Sequence, residues 1–203
     1  MAIDMREIHT FIEKELRSCH PVAESLECVI AECENAEPHS DWNDLRNVEI
    51  EDSKIFGKRV KSWFRNKKLK AQINGLWFGI YNPANGRWPI ADFRITGCSD
   101  FAPNKNDNSW AAETRTWSPE DRAYSPVLEN YYKIAYRDGG LGNNAEYPLC
   151  LAYTAFAIRD LFMTSKPSVF LRNSRSVGVA VGFDSGDFIV IGTLTEDGFT
   201  LLD

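Results

Sequence analysis

The chain has 203 residues and a net charge of −6, and 43% of its residues are hydrophobic and 12% aromatic. This composition supports a folded core and excludes global disorder, and the lack of any run of about 18 apolar residues excludes a membrane-spanning helix. The charged stretch Met1–Glu15 lacks the apolar centre of a signal peptide and the five cysteines are irregularly spaced, so we expect a cytoplasmic protein with reduced thiols.

The first 53 residues form an acidic segment, because they hold fourteen Asp or Glu against four Lys or Arg. This segment is predicted to be helical. Helical spacing of apolar residues indicates a first helix capped by Asp4 and a second helix from Pro21 to about Asn35. Residues 41–53 are then predicted to be an acidic, irregular connector with a short strand at Val48–Ile50.

A basic segment follows, in which residues 54–70 hold eight Lys or Arg and no acid. Val60, Trp63 and Phe64 recur at the i, i+3, i+4 spacing of one helix face, which predicts an amphipathic helix with a cationic outer face. The change of charge divides the chain into an acidic helical segment, residues 1–53, and an α+β domain, residues 54–203. We expect the two parts to pack into one compact unit.

Two hairpins are predicted in the α+β part. The aromatic and β-branched stretches Leu76–Tyr81 and Trp88–Thr96 flank a run of turn residues. Ser176–Phe183 and Phe188–Leu194 flank the turn sequence DSGD in the same way. Each pair of stretches is therefore expected to form two antiparallel strands.

The segment between the hairpins is predicted to contain one strand and two helices. Trp110–Trp117 has strand character, and Ser118-Pro119 has the cap and first-turn proline of a helix start. Ala145–Met163 is predicted to be the most apolar helix of the chain. This order of elements is typical of an α+β fold with a mostly antiparallel sheet of about four to six strands and helices on one face.

Cysteine and histidine residues near the N-terminus raise the question of a zinc site. Five potential ligands lie within 21 residues: Cys19, His20, Cys28, Cys33 and His39. No CxxC pair is present, and Cys28 and Cys33 stand about 140° apart around the predicted helix, so they cannot easily share one ion. The sequence favours buried thiols and surface histidines and predicts no metal site.

Two further motifs do not match a catalytic or nucleotide-binding signature. The glycine-rich stretch at residues 138–144 has no evident preceding strand and no following Lys-Ser/Thr, so a helix stop and a helix cap explain it. Gly182–Gly186 places its serine one position late for a nucleophile elbow. We therefore predict no catalytic residue and no cofactor.

The segment Trp117-Ser118-Pro119-Glu120-Asp121, the aromatic strand Leu76–Tyr81 and the closing hairpin Val177–Leu194 carry a family resemblance. Over residues 70–195 these features resemble small acidic α+β bacterial proteins of uncharacterised function, some of them immunity partners in polymorphic toxin systems. Arg122 stands where an aromatic residue follows the acidic pair in that pattern. The resemblance implies no catalytic residue and no cofactor.

The leading functional hypothesis is a non-enzymatic binding protein that blocks a protein partner, such as a bacterial toxin, by occlusion. An acidic patch would steer onto a basic partner surface, and aromatic anchors would supply the tight contacts. The candidate partner-binding residues lie in the acidic connector and are expected to be exposed: Asp41, Trp42, Asp44, Glu49, Glu51 and Asp52. No membrane partner is expected.

Two alternative functions remain open at this point. The basic helix offers nucleic acid a cationic face of Lys58, Lys61, Arg65, Lys67 and Lys68, but a pI near 5.2 and pairing with the acidic segment argue against it. The other alternative is an enzyme with a site in a groove between sheet and helices. Its candidate residues carry no assigned roles: Tyr81, Asp92, Arg94, Trp117 and Tyr153.

Overall fold

The computed structural model describes residues 3–66, 69, 72–81, 92–102, 109–113, 115–119, 123–171, 176–183 and 186–202. The described α-helices are α1 Met5–Ser18, α2 Val22–Ala36, α3 Asp41–Arg46, α4 Ser53–Asn66, α5 Ser109–Glu113, α6 Pro126–Ala135 and α7 Asn143–Thr164. The described strands are β1 Gly75–Tyr81, β2 Asp92–Cys98, β3 Arg115–Trp117, β4 Ala123–Tyr124, β5 Val177–Phe183, β6 Phe188–Leu194 and β7 Phe199–Leu201. This content confirms the predicted α+β class.

The first two helices form a tight corner. As predicted, Asp4 caps α1, and its carboxylate accepts the backbone N–H of Arg6 at 2.9 Å. α1 ends at Ser18, and the next residue, Cys19, has a φ of 57° in the left-handed region that turns the chain toward α2. Both helices pack on α7 and share one hydrophobic core with the sheet. The acidic segment therefore does not stand apart from the α+β part.

The basic helix α4 carries the predicted amphipathic pattern. The three apolar residues that define its inner face are at most 5% exposed, whereas Lys58 and Arg65 on its outer side are exposed. Burial of this stripe, in which Trp63 packs on Phe93 of β2 and Phe64 packs on Trp117 of β3, explains why a strongly charged segment forms a helix. The predicted continuation through Lys67 and Lys68 lies outside the described residues.

The strands form one mixed sheet in the order β3-β2-β1-β5-β6-β7, and β4 pairs with the other end of β2. The pairs β1–β2 and β5–β6 are antiparallel, as the two predicted hairpins require, although the turns at 82–91 and 184–185 lie outside the described residues. The two pairs join along β1 and β5, which run parallel from Gly75↔Gly178 to Ile80↔Phe183. The prediction of a mostly antiparallel sheet is confirmed.

One face of the sheet is covered by α7, whose residues from Ala145 to Arg159 are all buried. Alternate strand residues such as Phe78 and Val179 meet this helix in the main core. α1, α2, α4 and α6 pack around the rest of α7, which explains why it is apolar on all sides. None of the helices in the described ranges is long and apolar enough to cross a bilayer.

The opposite face of the sheet carries a smaller aromatic cluster. Trp77 and Trp110 meet edge to face with ring centroids 5.9 Å apart, and Phe101 and Phe188 pack on Trp110 at 5.2 and 6.4 Å. The short helix α5 supplies Trp110 and packs on β1 and β2. Gly178 leaves room for these rings, because a Cβ there would lie 2.2 Å from the Phe101 ring.

The prediction of a helix that starts at Ser118 is wrong. The Ser118 hydroxyl instead donates to the carbonyl of Ile95 at 2.9 Å, which ties this segment to β2. The helix α6 begins at the next Ser-Pro pair, where the Ser125 hydroxyl accepts the N–H of Leu128 at 3.3 Å and Pro126 takes the first helical position. Both pairs have the chemistry of a helix start, and sheet pairing decides between them.

Two other predicted elements are also corrected. Val48–Ile50 is not a strand, and the connector before it folds as α3, which buries Trp42 and Leu45. Trp110–Trp117 divides into α5 and the short strand β3, because Trp110 turns into the aromatic cluster instead of continuing along the sheet.

Candidate functional site

A cleft of about 210 Å³ lies between α7 and the first turns of α2 and α4. One face of α7 forms a wall of residues spaced three or four positions apart: Tyr153, Ala157, Asp160, Leu161 and Thr164. Pro21 and Val22 of the α2 start, Glu51 of the connector and Phe56 of α4 close the other sides. The cleft therefore lies among helices, away from the sheet.

The floor of the cleft is aromatic. Phe56 and Tyr153 meet edge to face with ring centroids 6.5 Å apart, and Tyr153 is only 2% exposed. The Tyr153 hydroxyl makes no well-formed hydrogen bond to any described residue. Burial raises the pKa of Tyr153 and the Glu51 carboxylate raises it further, while Ser125 and Arg59 act in the opposite direction. The hydroxyl is therefore neutral at physiological pH.

Two ion pairs flank this floor. Glu51, whose side chain is 8% exposed, accepts a hydrogen bond from Arg59 at 2.5 Å. Asp160 pairs with Arg159, with 2.7 Å between the nitrogen and oxygen atoms. Each carboxylate at the rim thus has its own guanidinium, and these four groups together add no net charge to the cleft.

Arg159 connects the cleft to the corner between α1 and α2. Its side chain is fully buried and donates hydrogen bonds to the backbone carbonyls of Leu16, at 3.2 Å, and of His20. A buried guanidinium is tolerated only when its charge and its donors are satisfied, and here Asp160 and the two carbonyls do so. Arg159 therefore fixes the α1–α2 corner onto α7.

Three potential metal ligands converge at that corner. A carboxylate oxygen of Glu15, a ring nitrogen of His20 and the sulfur of Cys28 all lie within 4.8 Å of one another. Glu15 Oε1 is 2.8 Å from His20 Nδ1, and it accepts the hydroxyls of Ser18 at 2.8 Å and Ser25 at 2.9 Å. Side chains from two helices and their turn thus meet at one carboxylate.

The ionisation of this group follows from its surroundings. Burial alone raises the pKa of Glu15, but the three hydrogen bonds just described outweigh burial and lower that pKa. Burial raises the pKa of the Cys28 thiol, and nearby carboxylates raise it further. Glu15 is therefore charged at neutral pH, while Cys28 is a protonated thiol.

The other cysteine and histidine residues considered from the sequence lie apart from this group. Cys33 is buried, and burial raises its pKa to about 12. Cys19 is exposed beyond the end of α1, and His39 accepts the backbone N–H of Asp41 at 3.1 Å. The structure separates Cys28 from Cys33, as the helical spacing predicts.

The expectation of exposure is wrong for Asp41 and Trp42. Trp42 is 0% exposed and donates its indole N–H to the carbonyl of Glu37 at 2.8 Å. Asp41 is buried, pairs with Arg137 and accepts the backbone N–H of Leu141 at 3.2 Å. Asp41 therefore holds α3 against the α6–α7 connection, and Trp42 ties α3 to the end of α2, because α3 buries the face on which both residues lie.

Glu51 is also not exposed, since its side chain is only 8% exposed in the ion pair beside the cleft. Asp44, Glu49 and Asp52 are exposed, as expected. Asp44 pairs with Arg137 at 2.7 Å, and Asp52 accepts backbone N–H groups in the first turn of α4. The predicted acidic surface is thus split between structural residues and exposed ones.

An exposed tyrosine, rather than Trp42, stands beside this acidic region. Tyr136 is 50% exposed, precedes Arg137 in the chain and packs on Tyr132 with ring centroids 4.6 Å apart. Its hydroxyl donates to Glu146 at 2.6 Å. The Tyr136 ring is therefore held in place while it faces solvent.

Glu146→Gln is expected to raise the free energy of unfolding at neutral pH. Burial raises the pKa of Glu146, and the hydrogen bond from Tyr136 offsets only part of that effect. The native protein therefore loses stability as the pH rises above the ordinary glutamate pKa of about 4.3. Urea unfolding of both proteins measures the gain, which should shrink toward zero at about pH 4. An equal gain at both pH values contradicts this explanation.

The described part of the basic face is free of ion pairs. Lys58, Lys61 and Arg65 follow Lys54 along one side of α4, and all but the half-buried Lys61 are exposed. None of these four side chains pairs with an acid among the described residues. Among the described cations of α4, only Arg59, which lies beside this face, forms an ion pair with an acid of the chain.

The five residues named for an enzyme site do not converge. Tyr81 and Arg94 alternate with the residues that face the main core, so they lie on the other side of the sheet. Trp117 and Tyr153 belong to the core on the α7 side, and Asp92 lies at the start of β2. In the described ranges, core side chains fill the space between sheet and α7, and only Tyr153 reaches the cleft.

No protein-family model, curated protein or solved structure matches this chain.

Sequence reasoning missed three residues that organise these sites: Glu15, Tyr136 and Arg159. Glu15 falls on the buried stripe of α1, and Arg159 falls within the most apolar helix. A charged residue inside an apolar stripe is rarely buried without a partner, and this signal marks both positions. Tyr136 carries no comparable signal, because its exposure depends on how α6 packs.

Proposed function

We propose that this chain is a protein-binding module that occludes a basic surface of a partner protein, as an immunity protein does to a bacterial toxin. The supporting observation is that acidic α2 and cationic α4 both present their charges to solvent. Among the described residues, one ion pair between Glu51 and Arg59 joins the acidic segment to the basic helix. Exposed charges of one predominant sign on rigid helices create fields that steer oppositely charged partners.

The acidic side of this surface is built on α2. That helix buries Leu26, Val29 and Ile30 and turns four glutamates outward, near an exposed aspartate of α3. We define the acidic α2–α3 surface by these five residues: Glu24, Glu27, Glu32, Glu34 and Asp44. Arg46 pairs with Glu27 at 2.8 Å and Glu34 at 2.9 Å, so the net charge of the surface remains negative.

An aromatic anchor stands beside this surface. Tyr136 lies next to Arg137, which pairs with Asp44, so the exposed ring borders the α3 end of the acidic α2–α3 surface. Tyrosine is enriched among the few interface residues that dominate binding energy, and a ring that is already fixed loses little entropy on binding. Tyr136 thus takes the role that the sequence assigned to Trp42.

A second candidate function is recognition of a small ligand in the cleft, which the buried Tyr153 hydroxyl favours because it makes no well-formed hydrogen bond to any described residue. Pockets for drug-sized ligands measure about 300–1,000 Å³. The cleft measures about 210 Å³, so it suits one partner side chain or a very small molecule. Its size therefore ranks this function below protein binding.

The proposal is tested with the product of the adjacent gene, co-expressed with the tagged chain and purified for association kinetics. We expect a stable complex, and we expect Glu24→Lys with Glu32→Lys to lower the association rate about tenfold or more at low salt. Tyr136→Ala should instead raise the dissociation rate about tenfold.

The matched control is Glu196→Lys with Asp197→Lys, which changes the net charge equally at an exposed turn between β6 and β7. This control should leave association nearly unchanged. Failure to form any complex overturns the proposed function. Equal effects of the two double variants show that net charge, and not the acidic α2–α3 surface, governs binding.

A further inference from the structure

The corner between α1 and α2 has the donor set of a transition-metal site. It brings together one carboxylate, one imidazole and one thiol, with ligand atoms within 4.8 Å of one another. In a tetrahedral zinc site the ligand atoms lie about 3.3–3.6 Å apart, given bonds of about 2.0–2.3 Å. The group therefore needs only side-chain adjustments, and the 2.8 Å contact between Glu15 and His20 widens slightly to admit an ion.

We propose that Glu15, His20 and Cys28 bind a zinc ion at the α1–α2 corner. This inference is independent of the proposed protein-binding function. Mixed oxygen, nitrogen and sulfur ligands suit zinc better than calcium or magnesium, which take oxygen ligands. Three protein ligands leave the fourth tetrahedral position for a water molecule.

The backbone of the corner holds the three ligands in place. The left-handed Cys19 turns the chain sharply after α1, and Arg159 binds the carbonyls of Leu16 and His20 on either side of that turn. His20 is thus anchored through its backbone while its ring, in a side chain 51% exposed, can rotate onto an ion. The site is therefore preorganised by groups that are not ligands.

Hydrogen bonds support the carboxylate ligand. Ser18 and Ser25 both donate to Glu15, which orients the carboxylate toward His20 and Cys28. Such supporting hydrogen bonds typically change metal affinity by about 10–100-fold. The structure of the helix corner explains why two serines donate to one carboxylate. It does not explain why a thiol lies beside them.

Charge and proton balance are both satisfied in this site. Cys28 releases its thiol proton to solvent on binding, and the neutral His20 ring binds through Nδ1 with its proton on the outward Nε2. The Glu15 carboxylate and the Cys28 thiolate then offset the two positive charges of zinc. Glu24 and Glu27 of α2 add negative potential beside Cys28.

The test uses Co²⁺ as a spectroscopic probe for zinc, added to the full chain after chelator treatment. Thiolate coordination to Co²⁺ gives an intense near-ultraviolet charge-transfer band, and tetrahedral geometry gives strong visible bands. We expect both with one equivalent of metal and expect Zn²⁺ to displace them. Absence of the charge-transfer band in the unmodified chain overturns the proposal.

Two variants test the thiol and the imidazole ligand, and a third is the control. Cys28→Ser should abolish the charge-transfer band, and His20→Ala should weaken Co²⁺ binding about tenfold or more. Cys19→Ser is the matched control, because Cys19 is an exposed thiol next to His20 and stands outside the ligand group. Retention of the band in Cys28→Ser, or its loss in Cys19→Ser, overturns the assignment. Far-ultraviolet circular dichroism of each variant establishes that its helices remain folded.

Discussion

Arg159→Met is expected to lower the free energy of unfolding by about 3–5 kcal/mol, because it removes a buried guanidinium that pairs with the partly exposed Asp160 and hydrogen-bonds two backbone carbonyls. Arg159 is 0% exposed and satisfies Asp160 together with two backbone carbonyls of the α1–α2 corner. Methionine preserves much of the stem volume, so the loss reports mainly on the guanidinium. Urea unfolding followed by circular dichroism measures the change, with the slope checked for two-state behaviour.

Arg46→Met is the matched control, since it makes the same substitution in a partly exposed arginine. The Arg46 side chain is 30% exposed and binds two carboxylates, Glu27 and Glu34. Exposed pairs of this kind contribute about 0–1 kcal/mol, so the loss should stay within that range. Similar losses for both variants contradict the assigned role of Arg159. Amide hydrogen exchange should also show faster opening of the α1–α2 corner in Arg159→Met alone.

Gly178→Ala is expected to cost about 2 kcal/mol, because the added methyl group overlaps the aromatic cluster on the second face of the sheet. A Cβ at this position would lie 2.2 Å from two atoms of the Phe101 ring. The ring has to leave its contact with Trp110, which it meets edge to face at 5.2 Å. Thermal and urea unfolding both measure the loss.

A double-mutant cycle isolates the cause of this loss. Phe101→Ala removes the clashing ring, so adding Gly178→Ala to it should cost little more, with a coupling energy of about 1–2 kcal/mol. Gly186→Ala is the control, since a Cβ there meets nothing within 4 Å. Additive losses in the cycle indicate that Gly178 is needed for backbone freedom instead of for packing.

Local signals predicted much of this fold. The Asp4 cap, the amphipathic spacing of α4 and the apolar run of α7 each state a preference within a few neighbouring residues. The two antiparallel pairs follow from strand-forming stretches on either side of a turn. Such features depend on neighbouring residues more than on contacts with distant parts of the chain.

Features decided by distant contacts could not be predicted in this way. Ser118 and Ser125 both precede proline, and their different roles depend on pairing with the distant strand β2, including the hydrogen bond from Ser118 to the carbonyl of Ile95. Trp42 stands in an acidic stretch yet is 0% exposed, and the neighbouring Asp41 accepts the backbone N–H of Leu141, 100 positions away. Burial in these cases depends on the assembled helices, which sequence spacing does not encode.

The candidate sites also differ in whether local sequence features predict them. The outward charges of α2 and α4 could be read from composition, because exposed faces follow from the apolar stripe opposite them. The group of Glu15, His20 and Cys28 could not, because it joins two helices through a turn of unpredicted geometry. The spacing of cysteine and histidine residues also does not reveal the carboxylate at the centre of the group.

The parallel pairing of β1 with β5 has a consequence for how this protein reaches its native state. Each hairpin closes over a short loop, but Leu76 and Val179, which are partners across the seam, are about 100 residues apart. The entropy cost of closing so long a loop delays this pairing until the segment between β1 and β5 has collapsed. We therefore expect folding within milliseconds to seconds, with the hairpins formed early and their inner edges open to intermolecular association until the seam closes.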